Sequence, residues 1–266
     1  MTKMHPLAST VPMEAKLIAT LPEENGWRYE PKWDGFRAIA SRNGDAVEIM
    51  SKSGKSLARY FPEVVAMLAS TRQRKFAIDG ELILPVGDIL SFDALQARLH
   101  PAESRIKRLS GETPAQLMLF DCLSAANEDM LDRPFSERRR KLEQFHANEG
   151  NGALLLSASS SNLATAHGWL KHGGGALDGV VAKEASAPYQ PGERAMLKVK
   201  QRRTADCVVG GFRRSRDGPL VASLLLGLYD DEDRLNHVGF TSALANEDKG
   251  GLTARLEALI EPPGST

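Results

Sequence analysis

Residues 29–37 read Tyr29-Glu30-Pro31-Lys32-Trp33-Asp34-Gly35-Phe36-Arg37. One lysine stands beside acids, a turn-forming glycine and a second cation, the pattern K-x-D-G-x-R with a glutamate two places before the lysine. That combination suits a covalent lysine nucleophile, whose amine must shed its proton before it can attack. On either side the chain reads as strand. Trp27 to Glu30 precedes the lysine, and Ala38 to Arg42 follows it. Asn43-Gly44 then marks a hairpin and Val47 to Lys52 the return strand.

Further out, Phe61, Val64, Val65 and Leu68 have helical spacing, with Pro62 tolerated in a first turn. Phe76 to Leu84 is a strand with Asp79-Gly80-Glu81 in its middle. Ser91 is expected to cap a short helix through His100. Leu117 to Cys122 reads as a buried strand. Ser136 is expected to cap a charged helix to about Ala147, and Asn162 another that ends at Gly173-Gly174-Gly175. Val180 to Lys183 and Met196 to Lys200 are two more strands. After Thr204 the texture changes. Cys207–Phe212, Val221–Tyr229 and Arg234–Phe240 read as successive strands, with a helix from about Glu247 to Ile260. Three strands and a helix match the front of an OB-type barrel, which needs five strands.

The 266 residues suffice for one large domain or a domain with an appendage, and 42% hydrophobic with 26% charged residues is a globular profile. The first twenty residues lack a long apolar core, so no signal peptide is expected. No apolar run is long enough to cross a bilayer. The two cysteines, Cys122 and Cys207, have no metal-ligand spacing and are expected as buried free thiols in a reducing cytoplasm. Net charge is +0, yet its distribution is uneven. From Arg194 to Asp217 the cations are Arg194, Lys198, Lys200, Arg202, Arg203, Arg213, Arg214 and Arg216, against Asp206 and Asp217. Such a stripe is compatible with phosphate contacts or with an ordinary solvated face.

The motifs now fall into an order. Glu30-Pro31-Lys32-Trp33-Asp34-Gly35 is followed by Ser51-Lys52-Ser53-Gly54 with Phe61-Pro62-Glu63, then Asp79-Gly80-Glu81, Leu119-Phe120-Asp121, Asp178-Gly179-Val180-Val181-Ala182-Lys183 and Met196-Leu197-Lys198-Val199-Lys200. Each piece alone is ordinary: an Asp-Gly is a turn, a phenylalanine is core, and paired lysines are a solvated strand face. Together and in this order the chain resembles the ATP-dependent DNA ligases of the covalent nucleotidyltransferase superfamily. Pro188-Tyr189-Gln190-Pro191-Gly192, Arg203-Thr204-Ala205-Asp206-Cys207-Val208-Val209-Gly210 and Gly227-Leu228-Tyr229-Asp230 resemble the bacterial end-joining type, as a stand-alone ligase core.

The resemblance implies an α+β fold. Residues 1–203 are expected to form an adenylation (nucleotidyltransferase) domain of ATP-grasp-like antiparallel sheets with flanking helices. Residues 204–266 are expected to form a partial OB-type domain. It further implies that Lys32 is adenylylated, with Lys198 and Lys200 as catalytic cations on one strand face. Glu30, Arg37, Glu81, Phe120, Lys183 and Lys198 would surround the nucleotide. Phe120 would stack on adenine, Glu81 would accept from a ribose hydroxyl, and Asp34 would stabilise the lysine loop. Asp178 and Glu81 would serve a metal ion, Mg²⁺ or Mn²⁺. Asp178 stands where the family often has glutamate, one methylene longer. Arg37, Lys52, Arg202, Arg203, Arg213 and Arg214 would face nucleic acid. Lys52 stands where arginine is usual and loses the bidentate fork.

The implied reaction seals nicked or broken double-stranded DNA with ATP as cofactor, by a cytoplasmic, nucleoid-associated monomer that an end-binding protein could recruit. The family's sixth motif is not found. Asn246-Glu247-Asp248-Lys249 is a look-alike placed too early, so impaired reaction with ATP is expected. Two rivals stay open on sequence: an RNA ligase or capping-type guanylyltransferase, and a DNA-end-binding module without catalysis.

Overall fold

The computed structural model describes residues 4–172, 177–201 and 204–260. The chain divides into two compact units, 1–201 and 202–266.

The first unit runs through β1 (Ala15–Leu17), β2 (Trp27–Trp33), β3 (Phe36–Asn43), β4 (Ala46–Ser51), α1 (Pro62–Ala69), β5 (Lys75–Ile83), β6 (Pro85–Val86), β7 (Ile89–Leu90), α2 (Phe92–Gln96), α3 (Glu103–Glu112), β8 (Gln116–Ala125), β9 (Glu128–Asp129), α4 (Phe135–Glu149), β10 (Leu154–Leu156), α5 (Leu163–His172), β11 (Leu177–Glu184) and β12 (Met196–Lys200). Two sheets carry it. The smaller has the order β1-β12-β11-β2; the larger has β10-β8-β5-β3-β4, with β9 on β8. Both are antiparallel except at one edge each, where β1 joins β12 and β10 joins β8 in parallel. Those three-residue edge strands carry no alternation that a sequence could show.

The period of two along a strand explains the layering. On the larger sheet Ala38, Ala40, Ile78 and Leu82 face a core shared with Phe61, Val64 and Leu68 beside and along α1, and with Leu142 and Phe145 of α4. Their strand neighbours Ile39 and Ala77 face the other way, into a second core with Met13, Tyr189 and Met196. Arg37, Asp79 and Glu81 fall on that second face by the same alternation. On the smaller sheet Tyr29, Val180, Ala182 and Val199 pack with Ala166, Trp169 and Leu170 of α5. The Lys32 segment is where the chain leaves one sheet for the other: β2 ends at Trp33 and β3 begins at Phe36. Gly35 makes the crossover possible, since a Cβ there would meet the Leu82 carbonyl oxygen at 2.1 Å.

Several elements differ from expectation. Ser136 does not cap α4. Pro134 precedes the helix, and the loop 185–187 takes its first donors: the Phe135 and Ser136 amides bond the carbonyls of Ala187 and Ala185 at 2.9 Å each. Ser91 does cap α2, accepting from the Ala94 amide at 3.2 Å, but that helix ends at Gln96. Arg98 follows, buried and bonded to the Tyr60 carbonyl and Glu63. Asn162 caps α5 through bonds from Ala164 and Thr165, and the glycine run expected to end that helix lies outside the described residues. Helix α3 was not foreseen, because Ile106 is its one buried residue and leaves no apolar stripe. Cys122 is buried, and burial pushes its thiol up to about 12. Cys207 is only half-buried, contrary to expectation.

The second unit is an antiparallel meander, β13 (Val208–Arg214), β14 (Val221–Tyr229) and β15 (Leu235–Thr241), followed by α6 (Lys249–Glu257). Thr253 ties the helix to β14, its hydroxyl accepting from the Val221 amide at 2.9 Å. No closed barrel is formed among the described residues.

Gly179 is the glycine the sheet tolerates least well losing. Its φ is +146°, and a Cβ would lie 2.0 Å from the Val199 carbonyl oxygen. Gly179→Ala should destabilise the first unit by on the order of 3 kcal/mol. A denaturant melt checks this; an unchanged midpoint would remove the steric argument.

Candidate active site

A cleft of about 200 Å³ lies between the two sheets, lined by Glu14, Glu30, Lys32, Arg37, Lys52, Glu81, Phe120, Lys183 and Lys198 among others. The smaller sheet supplies Glu30, Lys32, Lys183 and Lys198. The larger supplies Arg37, Glu81 and Phe120, with Lys52 just past β4.

Two β-bulges aim the chemistry. Leu177 pairs with Trp33 while Gly179 pairs with Lys32, so Asp178 is the extra residue on β11. A bulge re-aims the side chain it carries. The Asp178 carboxylate reaches across to Lys32 at 2.7 Å and Lys200 at 2.9 Å, on the two strands that flank β11. Those two ammoniums hold Asp178 below the usual carboxylate range against its own burial, which acts in the opposite direction. On β8, Asp79 pairs with Asp121 while Gly80 pairs with Leu119, so Phe120 is likewise the unpaired residue. Its ring lines the cleft with the Arg37 guanidinium 4.6 Å and the Lys183 ammonium 5.1 Å from the centroid.

Beneath the cleft lies a buried charge cluster. Lys183 Nζ contacts Glu30 at 2.9 Å, the Phe120 carbonyl at 2.9 Å and Asp121 at 3.5 Å. These three contacts hold Lys183 against the cleft floor, where it also lines the cleft. Arg138 grips Asp121 through Nε at 2.7 Å and Nη2 at 3.1 Å, and Arg139 reaches Glu30 at 3.4 Å. Burial still raises Glu30 above the normal glutamate range, whereas Lys183 and Arg138 overcome burial at Asp121 and hold it low.

Arg37 and Glu81 are directly opposed on β3 and β5. The Arg37 fork does not take Glu81; it takes the diagonal neighbour Asp79, with both contacts at 2.6 Å. Asp79 also accepts from the Tyr189 hydroxyl at 2.6 Å, and that hydroxyl accepts from the Met13 amide at 2.9 Å. Left without the fork, Glu81 is pushed up to about 7 by burial, with nearby Asp79 and Asp34 adding to the rise and Arg37 and Lys32 opposing it. Lys198 is lowered from the usual lysine value by burial and by repulsion from Lys32, Lys200 and Lys52. The cleft is short of negative charge.

The structure thus gathers Glu30, Lys32, Arg37, Lys52, Glu81, Phe120, Lys183 and Lys198 at one cleft, with Asp178 and Lys200 joined to it through Lys32. Asp34 is exposed. Arg213 and Arg214 belong to the second unit. Arg214 is occupied there, bonded to the Pro219 carbonyl at 2.8 Å and paired with Glu257 at 2.6 Å. Arg202 and Arg203 lie outside the described residues. Among the described residues no three metal-ligating side chains cluster. Magnesium is often held by one or two carboxylates, water and substrate phosphates, so the lone carboxylate of Asp178 fits an ion carried in with a nucleotide. The sequence reading missed Glu14, Asp79, Arg138, Arg139 and Tyr189. Asp79 was within reach, since it shares a strand face with Glu81. The others depend on pairing between distant segments.

Lys183→Met should destabilise by about 3 to 5 kcal/mol, because it strands buried Glu30 and Asp121; thermal melts measure this, and a loss under 1 kcal/mol would mean the cluster relaxes freely. Glu81 gives a pH signature. Its folded value near 7 exceeds that of an unfolded glutamate. The native state then binds the extra proton, and stability falls as pH rises from about 4.5 to 7. Glu81→Gln should flatten that decline by on the order of 2 kcal/mol. Melts of both proteins across the window would expose an unchanged slope.

With this geometry in hand, comparison places the chain among known proteins. Residues 6–200 match the model of the ATP dependent DNA ligase domain. The chain is 45% identical over 251 residues to DNA ligase C2 of Mycolicibacterium smegmatis, covering 94% of this chain and 70% of that protein. It is 42% identical over 254 residues to DNA ligase C of Mycobacterium tuberculosis, with the same coverages of 94% and 70%. In fold it is similar to a mycobacterial DNA ligase D complexed with ATP and MES, at a TM-score of 0.60 and 24% identity, covering 95% of this chain and 79% of that one. The chain belongs to the ATP-dependent DNA ligase family.

Proposed function

We propose that Lys32 is the residue that stores AMP and that the cleft between the sheets is where it does so. One observation carries this reading: Lys32, Arg37, Lys52 and Lys198 line one cleft together with the Phe120 ring, a surplus of positive charge suited to a polyphosphate. In the first step the Lys32 amine attacks the α-phosphorus of ATP, an N–P bond forms, and pyrophosphate leaves. AMP then passes to the 5′-phosphate of a nick and regenerates the amine. The 3′-hydroxyl finally attacks that phosphate and expels AMP. Each displacement is in-line and is served by positioning and charge.

The side chains divide this work. Lys198 and Lys200 offset the charge that develops on the α-phosphate. Glu81 accepts from a ribose hydroxyl, and Phe120 offers an aromatic surface to the adenine. Lys183 and Glu30 hold that ring and the cleft floor in register. A bound Mg²⁺ or Mn²⁺ would neutralise phosphate charge. Asp178 would hold the ion, and a carboxylate so engaged would no longer pair with Lys32. Arg37 and Lys52 of the first unit and Arg213 of the second are read as contacts to DNA phosphates, a role the sequence also suggests for Arg202 and Arg203. The second unit, with its meander and helix, is read as the front of an OB-type domain. The protein is read as a cytoplasmic monomer acting on nicked or broken duplex DNA, with recruitment by an end-binding protein.

Incubated with labelled nucleotide, the protein should gain AMP from ATP and nothing from GTP, and Lys32→Ala should gain neither. Mass measurement of the intact chain reads both results. Labelling retained in Lys32→Ala, or capture of GMP, would overturn the assignment.

A further inference from the structure

Glu14 is the acid of this cleft that the proposed reaction leaves without a role. Its backbone is fixed between two sides of one segment: its amide donates to the Glu193 carbonyl at 2.7 Å, and its carbonyl accepts from the Met196 amide at 3.1 Å. The side chain is thereby aimed into the cleft. One carboxylate oxygen meets Lys52 Nζ at 2.7 Å and the other lies 3.7 Å from Arg194 Nε. Glu30, by contrast, is consumed by the buried cluster. Lys52, Arg194 and Lys198 keep Glu14 below the usual glutamate range, Lys52 most strongly, so it is an anion at neutral pH. A cleft read as receiving phosphate thus carries an anion paired with one of its own cations, Lys52.

Resting on the reading of the cleft as a nucleotide site, we propose that Glu14 is a specificity-determining counter-ion. It occupies Lys52 in the empty cleft and yields it to a phosphate group lying beyond the α-phosphate. Two anions drawn to one ammonium repel each other, so every incoming phosphate must displace or tolerate Glu14. Ligands without that phosphate meet no such competition. Glu14 therefore lowers the affinity of ligands that bring a phosphate beyond the α-phosphate and leaves adenosine-5′-monophosphate untouched. The incoming group has two possible sources, the tail of ATP or the 5′-phosphate of a nick, and both present the same chemistry to Lys52.

Glu14 is half-buried, so Glu14→Gln preserves its shape while removing the charge. Binding is measured in a Lys32→Ala background, where no covalent AMP forms. Glu14→Gln should tighten ATP about fivefold, the scale of a partly exposed charge pair, and leave AMP unchanged. A parallel pair of nicked duplexes, one ending in 5′-phosphate and one in 5′-hydroxyl, assigns the source: a gain confined to the 5′-phosphate duplex points to the nick. Either gain should vanish when Lys52→Ala is added. Equal or weaker binding of both ATP and the 5′-phosphate duplex, or a gain that survives Lys52→Ala, overturns the proposal. If the Lys32→Ala protein binds neither ATP nor AMP, the reading of the cleft fails first, and this inference with it.

Discussion

A single buried ammonium holds this architecture in register. Lys183 rises from β11 of the smaller sheet and is bound by Glu30 of β2, by Asp121 of β8 and by the backbone of Phe120. Two of those partners belong to the other sheet. The sheets are therefore joined at the floor of the cleft by charge as well as by apolar contact, and the ring that lines the cleft is positioned by the same group. A buried charge is costly unless its partners are complete. Here Arg138 and Arg139 of α4 supply what Lys183 alone would leave unbalanced between the two carboxylates. The helix is thus tied to the cleft floor, although none of its side chains lines the cleft.

Above that floor the site works by an imbalance. Acids are present, but most are committed elsewhere. Asp79 is held by Arg37 and Tyr189, Asp121 by Arg138, Glu30 by Lys183, and Asp178 by two lysines at once. Glu81 is in no ion pair among the described residues and is pushed up to about 7 by its burial. Lys32, Lys52 and Lys198 line one cleft, and burial, with repulsion from Lys32, Lys200 and Lys52, lowers Lys198 from the usual lysine value. A polyanion offsets that charge. Lys32 and Lys200 share one carboxylate, that of Asp178, so whatever occupies Asp178 frees both amines from it. Chemistry and ligand arrival are linked through one side chain.

That side chain owes its position to backbone irregularity. Asp178 and Phe120 are both bulged residues, each the unmatched member of a strand pairing. Gly179 pairs with both Lys32 and Lys200, so in a regular strand its neighbour Asp178 would point to the opposite face, away from both lysines. The Gly179 conformation and its close approach to Val199 are part of the same distortion. Regular alternation does the rest, delivering Arg37, Asp79 and Glu81 to the cleft while their neighbours build the core.

Much of this was legible in the amino-acid order alone. The strands around Lys32, the hairpin at Asn43-Gly44 and helix α1 follow from local periodicity and turn chemistry. The succession of lysine, acid, aromatic and paired-lysine motifs carries the family. Those are short-range signals, written in residues adjacent or a few places apart. What only the folded chain decided is who partners whom. Arg37 chose Asp79 and left Glu81 isolated, Lys183 turned inward, Arg214 was spent on Glu257, and Glu14 came to lie against Lys52. Each choice joins segments tens of residues apart, and Lys183 with Glu30 more than a hundred. Each is settled by strand register and by the cost of leaving a buried charge unpaired, and neither can be read from a linear string.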